Sequence, residues 1–75
     1  MVIKYVRIKD TYYEDEMRGA EGVILRGDTE DVLLGFPLNS PFGWYDPGES
    51  TEYKCWWISE DYLEHITTIT RSEFK

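Results

Sequence analysis

The chain has a single cysteine, Cys55, and a single histidine, His65. One thiol forms no internal disulfide. Two such ligands fall short of the four Cys or His ligands of a structural zinc site. A domain of 75 residues is small, and a chain of this size buries only about 60% of the surface it exposes when unfolded. Without a disulfide or metal staple its core has to come from apolar packing, and the aromatics, 16% of residues, are the obvious supply. No run approaches the roughly 20 apolar residues of a membrane-spanning helix. The first seven residues, Met-Val-Ile-Lys-Tyr-Val-Arg, lack the basic-then-apolar order of a secretory signal. Together with the unpaired thiol, these absences make a cytoplasmic location the expectation.

Positive charge is also scarce. Eight Lys and Arg face 15 Asp and Glu, giving a net charge of −7. That balance argues against direct nucleic-acid binding, whose affinity comes mainly from cations neutralising phosphates. It fits either a basic protein partner or a charge that serves solubility alone. Enzyme motifs are missing too: there is no phosphate loop, no paired catalytic carboxylates and no nucleophile elbow. Cys55 falls within an apolar run, where a thiol is normally buried and inert, and nothing in the sequence brings His65 to it. Asp28-Thr29-Glu30-Asp31 lacks the spacing of a calcium loop. The chain is therefore read as non-enzymatic, with no cofactor and no metal.

What is present is a series of short strands within one domain, residues 1–75. Residues 2–9 alternate, with Val6 and Ile8 on one face and Tyr5, Arg7 and Lys9 on the other. Residues 10–18 are polar and acidic without a period, so they form a long loop, with a short helical turn near residues 14–17 as one option. Residues 19–36 hold two apolar runs around Gly27-Asp28-Thr29, which predicts a hairpin whose second strand, 31–36, points Val32, Leu34 and Phe36 one way. Residues 37–50 carry three prolines and two glycines and read as loop. Within it, Asp46-Pro47-Gly48-Glu49 suits a type II turn. Residues 53–58 are the fourth strand. It breaks at Ser59, turns once through Glu60-Asp61-Tyr62 and resumes at Leu63 as a fifth strand to Ile69. Residues 67–75 extend that strand or fray.

The end of the chain, Trp57-Ile58-Ser59-Glu60-Asp61-Tyr62-Leu63, resembles the SH3 pattern in which an aromatic and a β-branched residue precede Pro-Ser-Asn-Tyr-Val, with Ser59 at the proline and Leu63 at the valine. Val6-Arg7-Ile8-Lys9 followed by Gly19-Ala20-Glu21-Gly22-Val23-Ile24 resembles the KOW-type start, a basic strand leading to Gly-x-x-Gly-x-Val or Ile. The resemblance implies an all-β fold: a small five-stranded SH3-like barrel with one short helical turn before the last strand. KOW-type domains bind nucleic acid or protein, and an SH3-like ligand groove would lie on the outer aromatics.

Two aromatic groups are candidates for binding. The loop at 37–51 carries Phe42, Trp44 and Tyr45, and aromatics on a proline-stiffened loop make good interface anchors unless they fold back to cap the barrel. Trp44 and Tyr45, as neighbours in an extended segment, point to opposite sides. On the fourth strand Trp56 and Ile58 are expected inward and Trp57 outward, beside Tyr53 and Tyr62. Asp15 and Glu16 lie in an acidic run that either is solvated or steers a basic partner.

The leading expectation is a protein-binding module using Phe42, Trp44, Tyr45, Tyr53, Trp57 and Tyr62. Its profile is that of a phage-type acidic inhibitor or modulator of a basic, nucleic-acid-handling host or defence protein. Two alternatives stay open. One is a KOW-like nucleic-acid binder using Lys4, Arg7, Lys9, Arg18 and Arg26, with Tyr5 and Tyr12 stacking on bases. The other is a self-assembling subunit, as a homodimer for instance, burying its outer aromatics.

Overall fold

The computed structural model describes residues 2–70. Six strands are present: β1 (Val2–Ile8), β2 (Glu21–Gly27), β3 (Asp31–Phe36), β4 (Trp44–Tyr45), β5 (Lys54–Ser59) and β6 (Leu63–Thr70). Two 3-10 turns, Asp15–Met17 and Glu60–Tyr62, are the helical content among the described residues. All strands are antiparallel in one sheet of order β4-β5-β3-β2-β1-β6. The fold is all-β, but it departs from the expected five strands in a closed barrel. The sheet has a sixth strand and is open, with β4 and β6 as its edges.

The extra strand lies in the segment read as loop. Gly43 has φ +80°, which turns the chain back so that Trp44 and Tyr45 pair with Cys55 and Lys54. A Cβ at Gly43 would stand 3.1 Å from the Cys55 carbonyl oxygen, so only glycine permits this approach without displacing β5. Two residues are too few to leave a periodic signal.

Central β3 is buried on both faces. Val32, Leu34 and Phe36 point into the main core with Val6 and Ile8 of β1 and Ile58 of β5, the sides that alternation predicted. On the reverse face Leu33, Val23 and Cys55 are buried as well. Side chains such as Phe36, Ile8 and Leu34, fully buried, each stabilise by about 1.5–3 kcal/mol through area removed from water. Gly22 belongs here for a steric reason: a Cβ on it would lie 2.8 Å from the Gly35 carbonyl oxygen and 3.0 Å from the Phe36 ring. β2 also carries an irregularity. Ile24 opposes Leu34 and Arg26 opposes Leu33, which leaves Leu25 as an extra residue.

The polar loop at 9–20 supplies core rather than mere connection. Tyr12, Met17 and Ala20 are buried in the main cluster. The loop is tied at its base by Ile8 N–H to the Ala20 carbonyl (2.9 Å) and Gly19 N–H to the Ile8 carbonyl (2.8 Å). It is also tied across by Arg18 Nε to the Tyr12 carbonyl (2.6 Å).

The strand–turn–strand ending is as expected. Ser59 caps the turn, its Oγ accepting from the Asp61 N–H at 3.3 Å. The Tyr62 carbonyl accepts from the Lys9 N–H at 2.8 Å, joining the turn to the end of β1. β6 then pairs with β1 from Leu63 opposite Ile8 to Thr70 opposite Val2, with Ile66 as an extra residue at the Tyr5/Val6 irregularity. The expected tail is thus strand as far as Thr70, and residues 71–75 lie outside the described residues. β2 pairs with β1 only from Tyr5 to Arg7. Residues 2–4 and 68–70 therefore continue as a two-stranded arm beyond the body, in a molecule 42 Å long and 24 Å across.

Candidate functional site

β2 begins where β3 ends and β5 begins, since Val23 opposes Gly35 and Phe36 opposes Lys54. The loops 9–20 and 37–53 therefore leave the same end of the sheet. They face each other across a groove of about 450 Å³, with Glu14, Glu16 and Met17 on one wall and Pro41, Phe42, Gly43, Trp44 and Tyr45 on the other. Trp56 and Lys54 complete it. Trp56 is fixed: its indole Nε1 donates to the Tyr12 hydroxyl at 3.1 Å. Tyr12 in turn packs against Tyr13 (ring centroids 4.5 Å apart) and Tyr62 (5.1 Å). Burial pushes the Tyr12 phenol up to about 12, while its bond from Trp56 pulls the other way.

The opposite wall is held by short-range hydrogen bonds. The Ser40 N–H donates to the Pro37 carbonyl (2.9 Å), the Phe42 N–H to Ser40 Oγ (3.0 Å), and Lys54 Nζ to the Ser40 carbonyl (2.6 Å). Phe42 turns inward, 5.7 Å from the Phe36 ring, and so caps the core. Trp44 and Tyr45 do not: they are 73% and 54% exposed.

A second groove, about 320 Å³, lies on the reverse face between Trp44 and Trp57, over Leu33 and Cys55, with Asp46 and Glu49 at its rim. The segment at 46–53 folds back here. The Asp46 carbonyl accepts from the Glu49 and Ser50 N–H groups at 2.9 Å, and Ser50 Oγ accepts from Glu52 and Tyr53, so a turn forms at residues 46–49. It is not the expected type II, because Gly48 lacks the positive φ that type needs at its third residue. Glu49 then receives both Nε (3.1 Å) and Nη2 (2.9 Å) of Arg26, whose guanidinium lies 4.9 Å from the centre of the Trp57 ring. That carboxylate raises the Arg26 pKa further. Burial pushes the Cys55 thiol up, so it stays protonated at neutral pH.

The residues singled out in the sequence fall into three groups rather than one surface. Trp44, Tyr45 and Glu16 meet at the first groove. Trp57 faces outward on the reverse side with Tyr53 half-buried on the same face, while Trp56 and Ile58 point inward, as alternation predicted. Tyr62 departs from expectation: it packs with Tyr12 and Tyr13 against the core and does not join Trp57. Asp15 is held in an ion pair by Arg18 at 2.6 Å. Glu14 and Trp56 are groove residues that pattern reading did not single out as sites. No periodicity marks Glu14, and Trp56 reads simply as core.

The acids do not share one face. The runs at 10–16 and 28–31 sit at opposite ends of the seven-residue β2, a separation of roughly 20 Å at ~3.3 Å per residue. The basic stripe is dispersed by pairing: Arg7 meets Glu21 (3.1 Å) and Glu64 (3.9 Å), Arg18 meets Asp15, and Arg26 meets Glu49. Tyr12, expected to stack on bases in the nucleic-acid alternative, is only 2% exposed and occupied by Trp56. No family model matches the chain, and no curated protein or solved structure is significantly similar to it.

Proposed function

We propose that this protein is a non-enzymatic binding module of SH3-like type, which engages a basic protein surface through the groove between its two long loops. The fold side of this reading rests on the last strand, which returns after a single 3-10 turn to pair with the first, and on the Lys9–Tyr62 hydrogen bond that joins them. β4 is then an addition at the far edge. The observation that carries the functional side is the pair Trp44 and Tyr45. Two large aromatics are held exposed on a paired strand. Tyr45, level with Lys54, faces the groove walled by the carboxylates of Glu14 and Glu16, which have no ion pair among the described residues. Trp44, level with Cys55, stands between that groove and the one on the reverse face. Aromatics supply the contact area, and the acids draw a cationic partner and offer its Lys or Arg side chains a charged hydrogen bond.

A nucleic-acid-handling host or defence protein, blocked by a small phage-type inhibitor, carries a surface of the required sign. The nucleic-acid alternative is weaker, because three of the five cations it needs are engaged by carboxylates. The test is retention of proteins from nuclease-treated bacterial lysate by tagged wild type and by a Trp44→Ala/Tyr45→Ala variant. A defined basic protein should be retained by wild type, weaken as salt rises, and be lost by about tenfold or more in the variant. Nucleic acid as the retained species, or equal retention by the variant, would overturn the proposal.

A further inference from the structure

The arm formed by residues 2–4 and 68–70 has no third strand beside it among the described residues, and its Val2 and Ile3 border an open groove of about 380 Å³ shared with Leu25, Glu49 and Tyr53. A two-stranded ribbon of this kind is marginal by itself in water. Its outer strand, β6, is an edge whose hydrogen-bonding groups face outward, and natural edges are usually blunted by charge or proline. Residues 66–70, Ile-Thr-Thr-Ile-Thr, contain neither, in a chain where 31% of residues are charged. Ile66 and Ile69 are 39% and 43% exposed, and Val2 beside them 58%. The extra residue at Ile66 bends the strand but leaves Thr67 to Thr70 in regular pairing with β1.

We propose that this edge is a homodimer interface, in which β6 of a second copy pairs antiparallel with β6 and the sheet runs on through both copies. Charge selects this occupant. Two molecules of net charge −7 repel almost everywhere. The arm, by contrast, carries no acid and one cation, Lys4, so like molecules approach there at least cost. The acids of the loop at 10–16 lie at the other end of β1, and those at 28–31, with Glu49 and Glu52, lie nearer the arm but outside its edge strand.

Symmetry restricts the register, and we take the one centred on the regular part of β6. A two-fold axis perpendicular to the sheet keeps each side chain on its own face, so opposed residue numbers must sum to an even number. Centring on Thr68 puts Thr68 opposite Thr68 of the second copy, Thr67 opposite its Ile69, and Ile66 opposite its Thr70. On one face the rows then read Ile3, Ile69, Thr67, Tyr5 across four strands, all residues that favour sheets. On the other, the two Lys4 side chains stand about 14 Å apart across three strand spacings, beyond the ~8 Å screening length at physiological salt.

The test is solution mass as a function of concentration, with two variants. Wild type should approach twice its 8.9 kDa as concentration rises. Thr68→Lys opposes two cations at the axis and should halve that mass while leaving the far-ultraviolet circular dichroism unchanged. Thr68→Cys brings two thiols to a Cα separation of about 4.5–5.5 Å, within disulfide reach. With oxidised glutathione it should cross-link to dimer, whereas Lys4→Cys should not, and buried Cys55 keeps the wild type as a blank. A monomeric mass at every concentration overturns the proposal. So does a dimer that survives Thr68→Lys and that Thr68→Cys fails to cross-link. Neither result bears on the groove at the other end of the sheet.

Discussion

At one end of the sheet the segments 9–20 and 37–53 are long, acidic and mostly irregular, yet they are fastened at many points. Tyr12 and Met17 enter the core, Trp56 donates to Tyr12, and Glu49 grips Arg26. At the other end the β1–β6 arm is regular strand, held by its own ladder and little else. Regular hydrogen bonding and tertiary anchoring are thus separable. The loops are positioned by buried side chains, and the arm has ladder bonds with only Ile3 partly buried. A surface that presents aromatics in fixed places can be built on the first kind of element. The second kind is completed only by pairing.

The largest expected effect probes the anchored end. Phe36 is fully buried and touches Phe42 and the neighbourhood of Gly22. Phe36→Ala should cost about 3–5 kcal/mol in denaturant unfolding, enough to rival the whole stability of a small domain. A loss below about 1 kcal/mol would mean that the core does not anchor the loops.

Next comes alkaline pH. Below pH 10 Tyr12 is protonated whether the chain is folded or not. Its folded pKa of about 12 means that above pH 10 the unfolded chain releases this proton and the folded one keeps it. Stability should therefore fall as pH rises from 10 to 12, by on the order of 2 kcal/mol from this group. Tyr12→Phe should cost about 1–2 kcal/mol at pH 7, because the Trp56 indole N–H loses its acceptor. That deficit should narrow as pH climbs through the same window. A constant deficit would show that Tyr12 titrates normally.

The comparison predicts less for the arm. Ile69→Ala, at a half-exposed site opposite Ile3, should cost below about 1 kcal/mol in dilute protein. The amides of residues 2–4 and 68–70 should exchange with deuterium well before those of β3. Equal protection in dilute solution would remove the distinction between the two ends. Smallest of all, Trp44→Ala should leave stability within about 0.5 kcal/mol of wild type, since the ring is mostly solvated. Partner retention should nevertheless collapse. A variant that unfolds instead would make Trp44 a structural residue.

These contrasts also mark where the sequence was legible. The bounds of β3 and the break at Ser59 follow from local chemistry: strict alternation between turn residues, and a serine able to cap the next turn. The inward Trp56 and outward Trp57 follow from the pleat alone. β4 was illegible because its two residues become a strand only when the turn at Gly43 lays them against β5, a tertiary event. The open sheet was hidden for a related reason, since closure depends on how far strands curl and not on their pattern. Tyr12 sits in a polar run without a period, and nothing local says that it is core. Tyr62 was assigned to the wrong neighbours because its turn carries it to the side of β1 that faces Tyr12. Trp44 and Tyr45 were legible as binding candidates. The carboxylates opposite them were not, because two loops distant in sequence build that groove.

The three tryptophans occupy three unlike environments: Trp44 in water, Trp57 under a guanidinium, and Trp56 half-buried with its N–H bonded to a phenol. The chain therefore carries its own set of optical reporters. Emission from Trp44 should be red-shifted and open to acrylamide, that of Trp57 should change when Arg26 leaves Glu49, and that of Trp56 should shift only when the loop at 9–20 opens. Retaining one tryptophan at a time would let groove occupancy, clamp release and loop opening be followed separately, without an added label.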